Sequence, residues 1–216
     1  VIIKPLVFKF IIRMKKIIIL LSVLSIGCKT QNVRVKPTGL VANEAMVVSA
    51  REEASKIGVE IMKKGGNAFD AMVATELALA VAYPFAGNLG GGGFMVYRKA
   101  NGEIGSLDYR EKAPLAATKD MFLDDKGNVI KGKSTESPLA IGVPGTIAGV
   151  FAVHEKLGSL PIEEILKPVI ELAERGVIVT KKQEDRLTAY RAKIIKVNGD
   201  KTLFATAFKE NDVIKY

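Results

Sequence analysis

Between Ala68 and Tyr83 the chain runs almost without charge; Asp70 belongs to its start and Glu76 is the only other ionisable acid before Tyr83. Asn67 just ahead is a good helix cap, and Asp70 is placed to reach back to it, so the stretch is predicted to be helical. A helix apolar nearly all round has no face to give to water and has to be enclosed. Any fold for this chain must therefore build layers around residues 68–83. Pro84 ends the helix because it cannot continue the backbone hydrogen bonding. The chain then enters Gly87-Asn88-Leu89-Gly90-Gly91-Gly92-Gly93.

That glycine run resembles a phosphate cradle only superficially. A Walker loop needs Gly-Lys followed by Ser or Thr, and a dinucleotide fingerprint needs a strand before the glycines and a helix after them. Here the order is reversed, with a helix before and strand-like residues after. The glycines read better as a place where the backbone turns sharply and elements approach closely. Phe94–Arg98 and 104–110 are strand-like, and Asn101-Gly102 between them signals a hairpin.

Upstream, Met46-Val47-Val48 reads as a short buried strand. Ser49 and Glu52 form a capping-box pattern for a helix over 50–64, closed by Gly65-Gly66. Downstream, Asp124 to Asn128 reads as a turn, and Gly142-Val143-Pro144-Gly145 introduces a helix over 146–157 closed by Gly158. Pro161 and Pro168 each suit a first helical turn, so a short helix is expected to be followed by a second over 168–175. Residues 181–216 are charged and mixed, without a clear stop. No internal repeat or interdomain linker stands out.

The chain has a formal net charge of +9, which raises nucleic-acid binding as a possibility to be weighed. Its distribution argues against that. Residues 1–36 hold eight cations and no acid, so residues 37–216 are nearly neutral. Met14, Lys15 and Lys16, then apolar Ile17 to Ile26, then Gly27-Cys28 form an export signal similar to those of bacterial lipoproteins, in which the cysteine sulfur carries the lipid. Ser25 and Ile26 depart from the usual residues of that pattern, and ordinary cleavage is the alternative. An uncleaved anchor over 1–26 is disfavoured because five cations interrupt it. The expected organisation is an upstream extension at 1–13, a lipoprotein-type signal peptide at 14–27, a connector at 28–39 and a partial domain at 40–216. Cys28 is the single cysteine, so no intrachain disulfide or multi-thiolate zinc site can form.

The catalytic repertoire is thin. His154 is the only histidine and reads as a surface or capping residue, since no metal-site or triad partners can be placed beside it. No paired carboxylates stand out, and no metal or cofactor is implied. Asp108-Tyr109-Arg110-Glu111 differs, because it sets a guanidinium at the end of an apolar strand. An arginine there can grip a carboxylate with two parallel charged hydrogen bonds. A local ion pair with Asp108 or Glu111 is the competing reading.

The order of these segments is informative. Ala45-Met46-Val47-Val48-Ser49, Gly65-Gly66-Asn67-Ala68-Phe69-Asp70-Ala71, Gly87 to Phe94, Asp108 to Pro114 and Gly142 to Thr146 together resemble the amino-terminal part of gamma-glutamyltransferases, also called glutathione hydrolases. The resemblance runs over about residues 38–216 and implies an α+β fold, the N-terminal nucleophile hydrolase αββα sandwich, present here as its front part only. It implies a precursor that cuts itself to expose a threonine, which attacks the gamma-amide carbonyl of glutathione or a related gamma-glutamyl compound. Water then completes hydrolysis, or an acceptor amino acid or peptide completes transfer. Arg110 matches the arginine that holds the alpha-carboxylate of the gamma-glutamyl group. No threonine of this chain sits in the nucleophile motif, so no catalytic residue is assigned within it, and the carboxyl-terminal small-subunit region becomes an expected partner. The implied location is exported and periplasmic, with membrane attachment only through lipid on Cys28. A poly-gamma-glutamate hydrolase or acylase of the same fold, or a short non-enzymatic lipoprotein module, are the alternatives.

Overall fold

Why residues 68–83 need cover becomes plain from what surrounds them in the computed structural model, which describes residues 39–216. Glu44–Tyr216 is one compact unit. Its elements are α1 (Glu52–Lys63), α2 (Ala68–Ala82), β1 (Phe94–Arg98), β2 (Ile104–Asp108), α3 (Thr146–Leu157), α4 (Ile162–Arg175), β3 (Val177–Ile178), α5 (Lys181–Asn198) and β4 (Val213–Ile214), with short helical turns between some of them.

Helix α2 is the central element, in contact with α1, α3 and α4. Val73, Ala74, Ala78 and Ala82 are completely buried. Alanine at every fourth position gives α2 one narrow flank along which a neighbour comes close. The stripe Ile165, Pro168, Val169 and Leu172 on α4 is buried, and Ile57 and Ile61 of α1 join the same core. Each large aliphatic side chain so enclosed contributes about 1.5–3 kcal/mol of burial.

The start of α2 has the expected capping box. Asn67 Oδ1 accepts from the amides of Phe69 (2.7 Å) and Asp70 (3.0 Å), while Asp70 Oδ2 accepts from the Asn67 amide at 2.8 Å. Asp70 does more than cap. It is fully buried and also accepts from the Ser159 amide (3.0 Å) and hydroxyl (2.6 Å) beyond α3. Asn67 Nδ2 donates to the Leu157 carbonyl at 2.7 Å. His154, as expected, is structural: its Nε2 pairs with the Leu160 carbonyl at 2.8 Å, in the loop held by Asp70.

The hairpin is antiparallel, with Phe94 opposite Asp108 and Arg98 opposite Ile104. Gly102 in its turn has φ +90°. Met95 is buried and Tyr97, Gly105 and Leu107 are half-buried, whereas Phe94, Val96 and Ile104 are exposed. A second small sheet pairs Val177 with Ile214.

Four expectations are corrected. Met46–Val48 is no buried strand: it lies outside both sheets, and Val48 is 81% exposed, because an extended segment with no ladder partner among the described residues has nothing to cover it. Ser49 does not cap α1. Its hydroxyl bonds the Arg51 carbonyl (2.7 Å) and Ser55 Oγ (2.8 Å), and the helix begins later, at Glu52. Pro168 does not divide two helices but sits inside α4. Its ring belongs to the buried stripe, and that burial offsets the lost backbone bond. The stretch from 181 is an ordered helix with a capping box, the Thr180 hydroxyl accepting from the Gln183 amide, and it stops at Gly199 with φ +79°. The 1–13, 14–27 and most of the 28–39 segments, including Cys28, lie outside the described residues.

Replacing Asp70 with Ala would leave three partly buried donors without their acceptor, so a loss of about 1–3 kcal/mol in unfolding free energy is expected by urea titration. Burial pushes the Asp70 carboxyl up, but donors from Ser159, Asn67 and Leu160 outweigh it and hold it below the usual range. Its stabilisation is therefore present above the ordinary aspartate pKa and lost as pH falls through the lower folded value, a slope Asp70→Asn should flatten.

Candidate functional site

The chain around Arg110 is held by its neighbours before its own side chain is considered. Tyr109 and Gly93 exchange backbone hydrogen bonds, 3.0 Å from the Tyr109 amide and 3.4 Å to its carbonyl, which carries the hairpin ladder one step past β2. Lys112 and Val143 exchange another pair, at 3.1 and 2.8 Å. The Gly91 carbonyl accepts from the amides of Gly145 (2.8 Å) and Thr146 (3.0 Å) at the start of α3. The glycine run thus ties the hairpin to a helix start rather than cradling a phosphate.

Its glycines also make room. A Cβ at Gly92 would come within 2.6 Å of the Tyr109 carbonyl oxygen and 2.8 Å of Arg110 Cα, and one at Gly93 within 2.8 Å of the Tyr109 ring. On α3, a Cβ at Gly145 would strike the Tyr109 carbonyl, and one at Gly149 the Tyr109 ring carbons. The ring fills that slot and is 8% exposed. Its hydroxyl donates to Glu76 Oε2 of α2 at 2.9 Å. Burial pushes the Glu76 carboxyl above the usual range, with the Tyr109 hydrogen bond pulling the other way. Burial and the Glu76 acceptor together push the Tyr109 hydroxyl far above the ordinary phenol value, so it keeps its proton.

Arg110 itself is largely exposed, at 58% of its side chain. Its amide donates to Asp108 Oδ1 at 3.0 Å and its Nε to Glu111 Oε2 at 2.9 Å. The guanidinium carbon stands 5.4 Å from the centre of the Phe94 ring, a cation–π contact that steadies the plane. Glu111 remains ionised, its carboxyl held low by its own amide and by Arg110. The ion pair weighed from sequence is thus present, yet it occupies only the Nε edge. Among the described residues Nη1 and Nη2 have no hydrogen-bond partner, so the outer edge of the fork stays open to an anion. Arg110 lines a cavity of about 300 Å³ with Leu107, Lys112, Pro144 and Ala148.

A larger recess of about 500 Å³ lies between the starts of α1 and α5. One of its two arginines is already engaged: Arg51 forks onto Glu53 (2.6 and 3.0 Å) and donates to Gln183 Oε1 at 2.6 Å. Gln183 in turn donates to the Ala82 carbonyl at 3.0 Å. This network joins helices, and the recess's second arginine, Arg186, lies over the Phe85 ring with its guanidinium carbon 5.2 Å from the centre. Among the described residues no cluster of three His, Cys, Asp or Glu could hold a metal, and no helix is long and apolar enough to cross a membrane. The Glu76–Tyr109 pair was missed from sequence, although a lone acid inside an apolar helix was its visible trace.

The gamma-glutamyltranspeptidase of Helicobacter pylori superposes with a TM-score of 0.78 at 42% identity, over 82% of this chain and 52% of that one. The fold is the front part of an N-terminal nucleophile hydrolase, the class expected from the ordered motifs. The described residues contribute the helices and two small two-stranded sheets of it. Glutathione hydrolase proenzymes from Pseudomonas sp. (strain A14) and Escherichia coli (strain K12) are 49% and 45% identical over 76% and 81% of the chain. The gamma-glutamyltranspeptidase family model matches residues 54–215, and the chain belongs to that family. It spans 28% and 30% of the length of those two relatives.

The Tyr109 slot is testable by filling it. Alanine favours a helix over glycine by about 1 kcal/mol, but overpacking a filled slot costs about 1–3 kcal/mol. Because the obstructing atoms are the root of the ring rather than a flexible tip, the second effect wins. Gly149→Ala is expected to lower the unfolding midpoint, read by circular dichroism on heating.

Proposed function

We propose that this chain is the front portion of an exported gamma-glutamyl enzyme, acting on glutathione and related gamma-glutamyl compounds. One observation carries the reading: the Arg110 fork lies on a cavity with its Nε edge held by Glu111 and both Nη groups open. A gamma-glutamyl group carries an alpha-carboxylate on the end remote from the scissile amide. End-on binding of that carboxylate by Nη1 and Nη2 fixes the donor at a point the chemistry does not touch. Arg110 thereby acts as an anchor, and Glu111 and Phe94 keep its plane from turning.

The nucleophile of this reading is a threonine in the part of the family's length that the present chain does not match. It attacks the gamma-carbonyl, the amine leaves, and water or an acceptor amine releases the gamma-glutamyl group. The present residues alone then bind and orient but do not turn over. For the location, the reading takes residues 14–27 as a signal peptide and Cys28 as a lipid attachment point on the periplasmic side.

In the complete gene product, Arg110→Ala is expected to raise the KM for a gamma-glutamyl donor by about 10- to 100-fold, equivalent to about 1.5–3 kcal/mol of charged hydrogen bonding. A donor lacking the alpha-carboxylate should show a much smaller difference between the two enzymes. Unchanged saturation kinetics for the ordinary donor would exclude Arg110 as the anchor. Cys28→Ser should shift the exported protein from the detergent phase to the aqueous phase in a phase-partition assay; equal partition of both forms would rule out lipid on that sulfur.

A further inference from the structure

We infer that Tyr109, through its hydrogen bond to Glu76, is the positioning residue for Arg110, an inference that rests on the carboxylate-anchor reading of Arg110. From Asp108 to Ala116 Tyr109 is the one buried residue; every other side chain in that run faces solvent. The backbone carrying Arg110 and Glu111 is pinned only at its ends, by the Tyr109–Gly93 pair and by the Lys112–Val143 pair. Between them the Arg110 amide reaches only an exposed carboxylate, Asp108 Oδ1. Next to Arg110 the chain is therefore fixed at Tyr109, by its backbone pair with Gly93 and by the one side chain of the run that enters the core, the Tyr109 ring.

The ring is fixed in two ways that act on different coordinates. The slot between Gly93 and Gly149 sets the plane and depth of the ring, since neither wall carries a Cβ to hold it off. The hydroxyl bond to Glu76 Oε2 sets how far the ring reaches toward α2. Glu76 stands on α2, the helix packed against α1, α3 and α4. A well-packed aromatic with a bonded hydroxyl has few alternative states. The hydroxyl's loss would let the ring settle elsewhere in its slot, and a small displacement at Tyr109 becomes a displacement of the guanidinium one residue on. A carboxylate bound by two parallel bonds is sensitive to that displacement.

A purely structural role would lower stability and leave donor binding alone. Steady-state kinetics on the complete gene product with a chromogenic gamma-glutamyl anilide separates the two. Tyr109→Phe keeps the ring and is expected to raise the donor KM about tenfold with kcat changed by less than about twofold, the signature of a misplaced binding group. Glu76→Gln keeps an acceptor for the hydroxyl and should stay near the starting values. Glu76→Leu removes the acceptor without altering the slot and should reproduce Tyr109→Phe, which decides the matter if the phenylalanine variant fails to fold. In an Arg110→Ala background, Tyr109→Phe should add nothing to the donor KM. An unchanged KM in Tyr109→Phe and Glu76→Leu while Arg110→Ala raises it overturns this inference and leaves the anchor standing, as does the same added factor in the Arg110→Ala background. An unchanged KM in Arg110→Ala itself overturns the anchor reading beneath it.

Discussion

A phenol ring seated against glycine on two sides, with its hydroxyl bonded to an acid on the most enclosed helix, is the contact on which the rest of this structure depends. It joins the hairpin, the glycine run, α2 and α3 at one residue. Without it, the run from Asp108 to Ala116 would lie on the surface with no side chain in the core. The glycines at 92, 93, 145 and 149 are the complement of that ring and its backbone. A glycine-rich stretch that could have been read as an anion cradle is thus, in this fold, the wall of an aromatic slot.

Around that contact the polar groups divide into those that are used up and those that are not. Asp70, Asn67 and Ser159 spend their capacity on one another and on backbone amides and one backbone carbonyl. Arg51 does the same with Glu53 and Gln183. Among the described residues no buried side-chain nitrogen or oxygen lacks a partner. Arg110 is the contrast: one edge of its guanidinium is engaged and the other faces solvent beside a cavity. A half-engaged arginine keeps its orientation while retaining donors for a ligand, whereas Arg51, bonded at Nε, Nη1 and Nη2, presents no comparable open edge.

Much of this was legible in the sequence wherever a local rule decided the outcome. Asn67 and Asp70 cap α2, Asn101-Gly102 turns the hairpin, and Gly145 precedes α3, because each depends on residues a few positions apart. The rules failed where distant partners intervened. Pro168 suits a helix start by local rules, but its burial carries α4 through it. Ser49 had the right spacing to cap α1, yet its hydroxyl is drawn to Ser55 and the Arg51 carbonyl, while Arg51 is held by Gln183 from α5. Helix α5 was missed because only Gln183 and Leu187 of it are buried, too few to show a period, although Thr180 and Gln183 spelled its cap. At the site, spacing alone left Arg110 between an ion pair and a ligand anchor. The structure contains the ion pair and shows that it leaves the fork open. Glu76 and Tyr109 are 33 positions apart, so no local pattern could have joined them.

A donor anchored by Arg110 has to take a particular pose. A crystal structure of the complete gene product with glutamate bound would test it most directly. The expected result places the alpha-carboxylate within hydrogen-bond distance of both Arg110 Nη1 and Nη2, with Nε still on Glu111 and the Tyr109 hydroxyl still on Glu76. Glutamate held with its alpha-carboxylate on other groups, and Arg110 turned away from it, would contradict the account.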